Sequence, residues 1–261
     1  MSRIFTLISF IALMITTPSL AQSFDPFEIS ESQKVSHYDF GIAAVSRDPY
    51  VGAGQKDITI LPYANIKHKG RYFVNPALGA GVYLRNTETL RLAAGANLSL
   101  GRDGNDTPFN NDVFDIDPSI TTNVALRYYL PIAALDVVGT LPITGDLEGA
   151  RADVLLSTEF RPIPQLRITP GIRATYQSGD WLDTIYGVNA TQSAATTLPQ
   201  LGHSGQISVF GLHSAAYLSL SDHYEIVGVV NYSKLLGDIK DSPLTPSNSG
   251  VTAAIAIARK F

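Results

Sequence analysis

The sequence predicts an all-β fold, a transmembrane antiparallel β-barrel of outer-membrane type with twelve strands; ten and fourteen are the neighbouring even counts. Three observations carry this. The last eleven residues, 251–261 (VTAAIAIARKF), place Val251, Ala253, Ile255, Ile257 and Phe261 on one face and Thr252, Ala254, Ala256, Ala258 and Lys260 on the other. Period-two alternation over about 10 residues is what a tilted strand needs when lipid lies on one side and a polar lumen on the other. Arg259 breaks the pattern on the lipid face, near enough to the strand end to extend its head into the interface. Second, 45% of residues are hydrophobic, yet after the N-terminal segment they are dispersed singly instead of gathered into the roughly 20-residue runs of membrane helices. Third, the N-terminus reads as a secretory signal: Arg3, an apolar stretch Ile4–Ile15, then Ser19-Leu20-Ala21 with small residues at the cleavage positions. The domain reading follows: 1–21 a cleavable signal peptide, 22–37 a polar periplasmic lead segment, 38–261 the barrel.

Composition excludes several classes. The chain has no cysteine, so an exported protein of this sequence has no disulfide framework. A formal net charge of −4 without a basic cluster argues against nucleic acid as a partner.

From Tyr38 onward alternating runs are separated by turn chemistry. Leu90–Leu100 sets six apolar residues against Arg91, Ala93, Gly95, Asn97 and Ser99. Leu166–Gln177, Ile120–Leu130 and Phe210–Leu220 repeat the design. Short connections fall near Lys69-Gly70, Pro131-Ile132, Pro162–Pro164 and Ser221-Asp222; long polar ones span 46–57, 102–117, 178–204 and 237–249. Bacterial barrels keep short turns in the periplasm and long loops outside. The alternation requires 143–149 to be an outer turn and three strands between Gly70 and Arg102, with turns near Asn75-Pro76 and Asn86-Thr87.

The inward face carries opposite charges at cross-strand spacing. A turn at Pro162–Pro164 sets Glu159 opposite Arg167 and Asp153 opposite Arg173; a turn at Pro131-Ile132 sets Asp136 opposite Arg127. Such pairs stabilise strand pairing by roughly 0.2–1 kcal/mol each. They predict a packed, self-neutralised interior without the like-charge rings of a selective pore. Tyr72, Phe73, Tyr83, Tyr128, Tyr129, Tyr224 and Tyr232 fall near strand ends and read as aromatic girdles.

No catalytic constellation emerges. Gly202-His203-Ser204-Gly205 lacks the spacing and strand-to-helix setting of a nucleophile elbow. His213 and Ser214 point to opposite faces. The five histidines have no metal-ligand spacing, and the Asp103, Asp106, Asp112, Asp115 and Asp117 loop does not match an EF-hand. The reading is of a non-enzymatic protein without cofactor or metal.

Several stretches together resemble the MltA-interacting protein (MipA/OmpV) family of Gram-negative outer membranes. They are Pro49, Tyr50 and Gly52 in DPYVG; Leu61-Pro62 with Lys69–Phe73; Gly101-Arg102; and Tyr186-Gly187 in IYGV. They end with Leu236-Gly237-Asp238 and Ser242-Pro243 in LLGDIKDSPL, and with Phe261, the pattern read by outer-membrane assembly machinery. The resemblance implies a barrel embedded in outer-membrane lipid and serving as a scaffold that joins a lytic transglycosylase to a penicillin-binding protein. Contacts would then fall on Gln22–His37 and the periplasmic turns. A small-solute channel or transporter, or an adhesin acting through the outer loops, is the alternative.

Overall fold

The structure is a computed structural model that describes residues 36–261. The stretches read above as a signal peptide and a lead segment, as far as residue 35, lie outside the described residues.

Thirteen strands occur in order: β1 (His37–Arg47), β2 (Asp57–His68), β3 (Tyr72–Asn75), β4 (Gly79–Asn86), β5 (Leu90–Ser99), β6 (Ser119–Tyr129) and β7 (Ala134–Pro142). They continue with β8 (Arg151–Ser157), β9 (Phe160–Ile163), β10 (Leu166–Gln177), β11 (Gln206–Ser219), β12 (Tyr224–Leu235) and β13 (Ser249–Lys260). All neighbours are antiparallel, and β13 closes on β1 from Asp39↔Lys260 to Ser46↔Ala253. β8 and β9 pair with β10 in succession, Ser157 with Gly171 and Phe160 with Ile168, so they are two halves of one wall strand. The wall therefore has twelve strands, and closure leaves no full-length edge.

The segment between Gly70 and Arg102 holds three strands, as the alternation of loop lengths requires. Lys69 and Gly70 both have positive φ, 51° and 62°, the twist a two-residue hairpin needs to bring β3 back along β2. β3 is only four residues long and pairs with β2 at residues 66–68 alone. Among the described strands none pairs with residues 57–65 on that side, which leaves a notch in the outer half of the wall. Pro62, which cannot donate to a ladder, sits in this stretch, where a proline is tolerated. Ala77 and Leu78 of the β3–β4 turn fold inward and are buried.

Alternation sorts the side chains as the sequence requires. Ile42, Ile60, Val124, Leu212, Val230 and Ile255 are exposed on the outer surface, forming an apolar belt. No helix among the described residues is long and apolar enough to cross a membrane. An apolar exterior wrapped around a strand wall with its backbone paired across most of its height is the lipid-facing solution for a β protein.

At mid-height the lumen carries a buried apolar cluster beside buried polar residues such as Asn123, His213 and Asn231. Ala93, Ala125, Ala215 and Val227 are 0% exposed. Tyr63, Phe73 and Tyr217 fill the space that small residues leave, in one continuous cluster with Val45, Val229 and Ala256. Three of the aromatic residues assigned to the girdles belong inside. Phe73 packs on Tyr83 with centroids 5.0 Å apart, and Tyr129 lies beneath the guanidinium groups of Arg91 and Arg127 at 5.2 and 5.8 Å. Tyr72, Tyr128, Tyr224 and Tyr232 remain outside. Adjacent strand residues must face opposite ways, so Tyr72 and Phe73, or Tyr128 and Tyr129, cannot share a girdle.

The charge pairs need one correction. Arg127 and Asp136 are register partners joined by two hydrogen bonds, Nε to Oδ1 at 2.6 Å and Nη2 to Oδ2 at 2.7 Å. Around the next turn, however, β10 is shifted by two residues: Thr175 faces Asp153, and Leu155 faces Arg173. Pro162 lies within β9 and the hairpin closes later, Ile163 against Leu166. Asp153 consequently pairs with Arg151 at 2.8 Å and accepts a hydrogen bond from Thr175 at 2.7 Å, with Arg173 at 3.9 Å. Glu159 is 2.7 Å from Arg161 and 3.9 Å from Arg167.

Candidate functional site

Three outer loops meet over the mouth of the barrel, and the motif residues are the ones that lock them together. The first loop follows β1 and carries Pro49–Gly52. The second, between β10 and β11, folds into α1 (Gly179–Tyr186) and α2 (Ala190–Thr196). The third, between β12 and β13, contains a 3₁₀ turn at Gly237–Asp241.

Local sequence explains α1. The Ser178 hydroxyl accepts from the Trp181 amide at its start, and Trp181, Leu182 and Tyr186 form a buried face. It ends at Gly187, where a Cβ would stand 2.5 Å from the Asp183 carbonyl oxygen. α2 starts with a capping box in which Asn189 and Gln192 satisfy each other's backbone. The inner faces of the three loops pack Tyr50, Ala53, Leu182, Tyr186 and Ile239 against Val209 of β11 and Leu235 of β12 in a small apolar core.

Polar locks hold this core in register. The Tyr50 hydroxyl donates to the Leu244 carbonyl at 2.6 Å, the Tyr186 hydroxyl to the Val51 carbonyl at 2.9 Å, and the Ser242 hydroxyl to the Tyr186 carbonyl at 2.6 Å. The two tyrosine rings meet edge to face, 6.0 Å apart. Each loop thus bonds to both others. Burial pushes the Tyr50 pKa up to about 12 and also raises that of Tyr186, so both stay protonated donors.

Gly52 has φ of +100°, and a side chain there would lie 2.8 Å from both Leu235 Cδ1 and the Ser247 carbonyl oxygen. Gly237, φ +69°, similarly leaves room for the Gln206 side chain, which bonds to Asp238. Asp238 also lies 3.4 Å from His203 Nδ1; desolvation works to raise its pKa, but the hydrogen bonds from Gln206 and His203 and the imidazole's charge together lower it. Leu236 donates its amide to the Ser208 carbonyl at 2.9 Å, and Pro243 sits half-buried between Ser242 and the buried Leu244.

Arg102, at the outer end of β5, braces the cap from one side. Its guanidinium donates to the Phe114 carbonyl at 3.0 and 3.2 Å and to the Ile185 carbonyl at 2.6 Å, and stacks 5.1 Å from the Tyr50 ring. Burial lowers its pKa, and no carboxylate lies within ion-pair distance among the described residues.

Beneath the cap is a cavity of about 80 Å³, room for several water molecules. Its roof is Tyr50, Val51, Ile185 and Tyr186; its walls include Arg102, Arg151, Arg173, Thr175 and Gln177.

Other candidates are accounted for structurally. Asp103 and Asp115 accept backbone hydrogen bonds from Asn105 and Gly104 and shape the β5–β6 loop. His213 bonds to Asn231 at 2.7 Å in the lumen, and His203 is buried in the cap. No group of His, Asp or Glu among the described residues could hold a metal ion. Sequence reasoning missed Arg151 and Trp181, both hidden in stretches with no marked pattern.

A closed twelve-stranded antiparallel wall, an apolar outer belt and a loop cap over the mouth define a capped β-barrel of the outer membrane. The profile of the family described as MltA-interacting protein MipA matches residues 40–261, and the chain belongs to that family. Among curated relatives, the MltA-interacting protein of Escherichia coli K12 is 25% identical over 211 residues, covering 78% of this chain and 83% of that protein. The MltA-interacting protein of Shigella flexneri matches with the same figures. Among solved structures, an outer-membrane channel from Pseudomonas putida F1 superposes with a TM-score of 0.48 at 11% identity, over 91% of this chain and 100% of that one.

Proposed function

We propose that this barrel is a non-enzymatic, gated passage for small solutes, closed at rest. One observation carries the reading: a cavity of about 80 Å³ roofed by the interlocked loops, above a lumen filled by buried side chains. A protein serving only as a solid anchor has no need of a chamber between its cap and its core. Burial of the mid-lumen residues argues against a permanently open pore, so passage requires the cap and the apolar constriction to move.

The scaffold reading has one observation in its favour, the name of the Escherichia coli and Shigella flexneri relatives, which describes an interaction with MltA. The periplasmic turns offer that role little surface: 69–71, 87–89, 130–133, 164–165 and 220–223 are two to four residues each.

Vesicle swelling with sugars of graded size, alongside planar-bilayer recordings, tests the proposal. The expected result is brief, small openings and swelling with the smallest solutes only. A large, steady conductance would remove gating from the account. No solute entry, even after the cap is loosened by substitution at Tyr186, would leave the scaffold as the standing reading.

A further inference from the structure

We infer that the β3–β4 turn is the gate of the passage, an inward-folded tip that closes the lumen and opens it by swinging back toward the notch in the wall. The inference rests on the reading of the barrel as a passage and names the element that regulates it.

The path of the chain is the first argument. Between β3 and β4 the main chain leaves the wall and enters the lumen. A Cβ on Gly95 of β5 would lie 2.8 Å from the Leu78 carbonyl oxygen, which accepts a hydrogen bond from Asn123 of β6 at 3.5 Å. The tip therefore crosses the inner face of β5 and reaches the strand beyond it. Ala77 and Leu78 are 5% and 1% exposed, in the same buried cluster as Val45 of β1, Ala125 of β6 and Val227 of β12.

The sequence provides a bed for this tip. Phe73, Gly81, Gly95 and Asn123 are successive register partners in one inward-facing row. Two neighbouring glycines leave the inner wall bare, and the Phe73 ring and the Leu78 carbonyl fill the trough. A Cβ on Gly81 would lie 2.5 Å from Phe73 Cζ, so a side chain at either glycine would lift what rests there.

Anchorage is the second argument. Val45, Tyr217, Val227 and Ala256 also fill the lumen, but they hang from strands of eleven to fourteen residues laddered on both sides. Displacing one of those breaks the wall. The tip follows a four-residue strand that pairs with β2 at residues 66–68 alone. Its closest bonds are internal and move with it: Asn75 Oδ1 accepts from the Ala77 and Leu78 amides at 3.0 and 2.8 Å. Its tie to β6 is the Asn123 bond, at the long limit of hydrogen-bond geometry. Elements with so little pairing open at the lowest free energy.

The notch is the third argument. Beside the tip, residues 57–65 of β2 have no strand partner on that side among the described residues. The hairpin has vacant wall to return into, and once in the plane of the sheet its tip no longer fills the lumen.

Planar-bilayer recording of the full mature chain tests this. Ala80→Cys with Ala96→Cys sets a disulfide across register partners beside the tip, in a chain with no other cysteine. Oxidation should cut the open fraction at least about tenfold, and reductant should restore it in the same preparation. Leu78→Ala removes packing that only the closed state has, so it should raise the open fraction at least about tenfold. Val227→Ala, on a strand fixed in either state, should change it less than about threefold. Heat-modifiable migration on gels checks that each variant is a folded barrel. Openings that the disulfide leaves unchanged, or that Leu78→Ala and Val227→Ala raise equally, would overturn the gate and leave the passage standing. Silence of both the wild type and the Leu78 variant would retire the two together.

Discussion

Tyr186→Ala should unfasten the outer cap and leave the barrel folded. Tyr186 is 3% exposed and holds both neighbouring loops: its hydroxyl bonds to Val51, its carbonyl accepts from Ser242, and its ring packs on Tyr50. Removing a buried aromatic ring costs about 3–5 kcal/mol. That cost falls on the cap alone, because the wall is held by strand pairing that Tyr186 does not touch. Hydrogen exchange in micelles should speed by two or more orders of magnitude across 178–205 and 237–248, while β5, β6 and β12 remain protected. Tyr186→Phe keeps the ring and loses one hydrogen bond, about 1 kcal/mol, so its loops should stay close to wild type. Uniform loss of protection in the alanine variant would show the cap and the wall to be one cooperative unit.

The second large effect concerns the lumen. Asp136→Ala should destabilise the whole barrel by about 3–5 kcal/mol, since it strips a buried guanidinium of its carboxylate. Arg127 and Asp136 face each other on β6 and β7, both at most 7% exposed by side chain, in a two-bond fork. Arg127→Ala should cost a similar amount for the mirror reason. The double variant Arg127→Met with Asp136→Leu should recover most of the loss, because replacing both charges by apolar groups removes the desolvation cost as well. Urea unfolding in lipid vesicles measures all four. A double variant as unstable as either single one would show that the pair serves something other than mutual neutralisation.

How much of this was legible in the sequence depends on the range over which the information runs. Alternation is local, so the lipid face of Ile255 and Ile257 and the whole of β10 could be placed without structure. Loop lengths extend that reach to one hairpin, which is how the short β3 and β4 could be deduced. Register is harder, because it depends on where a hairpin closes. The prolines at 162 and 164 suggested a turn, yet β9 extends past the end of β7 and is unpaired on that side, so Pro162 fits inside it. The result was a shift of two residues, which preserves every side chain's face while changing its partner: Asp153 kept its lumen position but found Arg151.

The cap lay beyond such reasoning. Tyr50 and Leu244 are 194 residues apart, and Tyr186 and Val51 are 135 apart. Their motifs were visible as a resemblance to a family, but no periodicity says that three loops meet. The structure gives those motifs a common physical task, holding a lid, and places them on the side of the barrel away from the short turns. The gathering of Arg102, Arg151 and Arg173 around one cavity was equally hidden, since they come from the loop after β5, the start of β8 and the interior of β10.

Closure of the lumen is the claim on which gating, cap and chamber all depend, and the chain offers a clean test because it has no cysteine. Single cysteines at Ala93 and Ala256, both buried at mid-lumen, can be challenged with a charged, water-soluble maleimide in intact vesicles. Asn248, in the exposed outer loop, provides the reactive control. The account predicts that the two lumen thiols resist labelling in the folded barrel and react fully once it is unfolded. Labelling of either at a rate near that of the control would mean a water-filled pore, and would contradict the closed barrel described above.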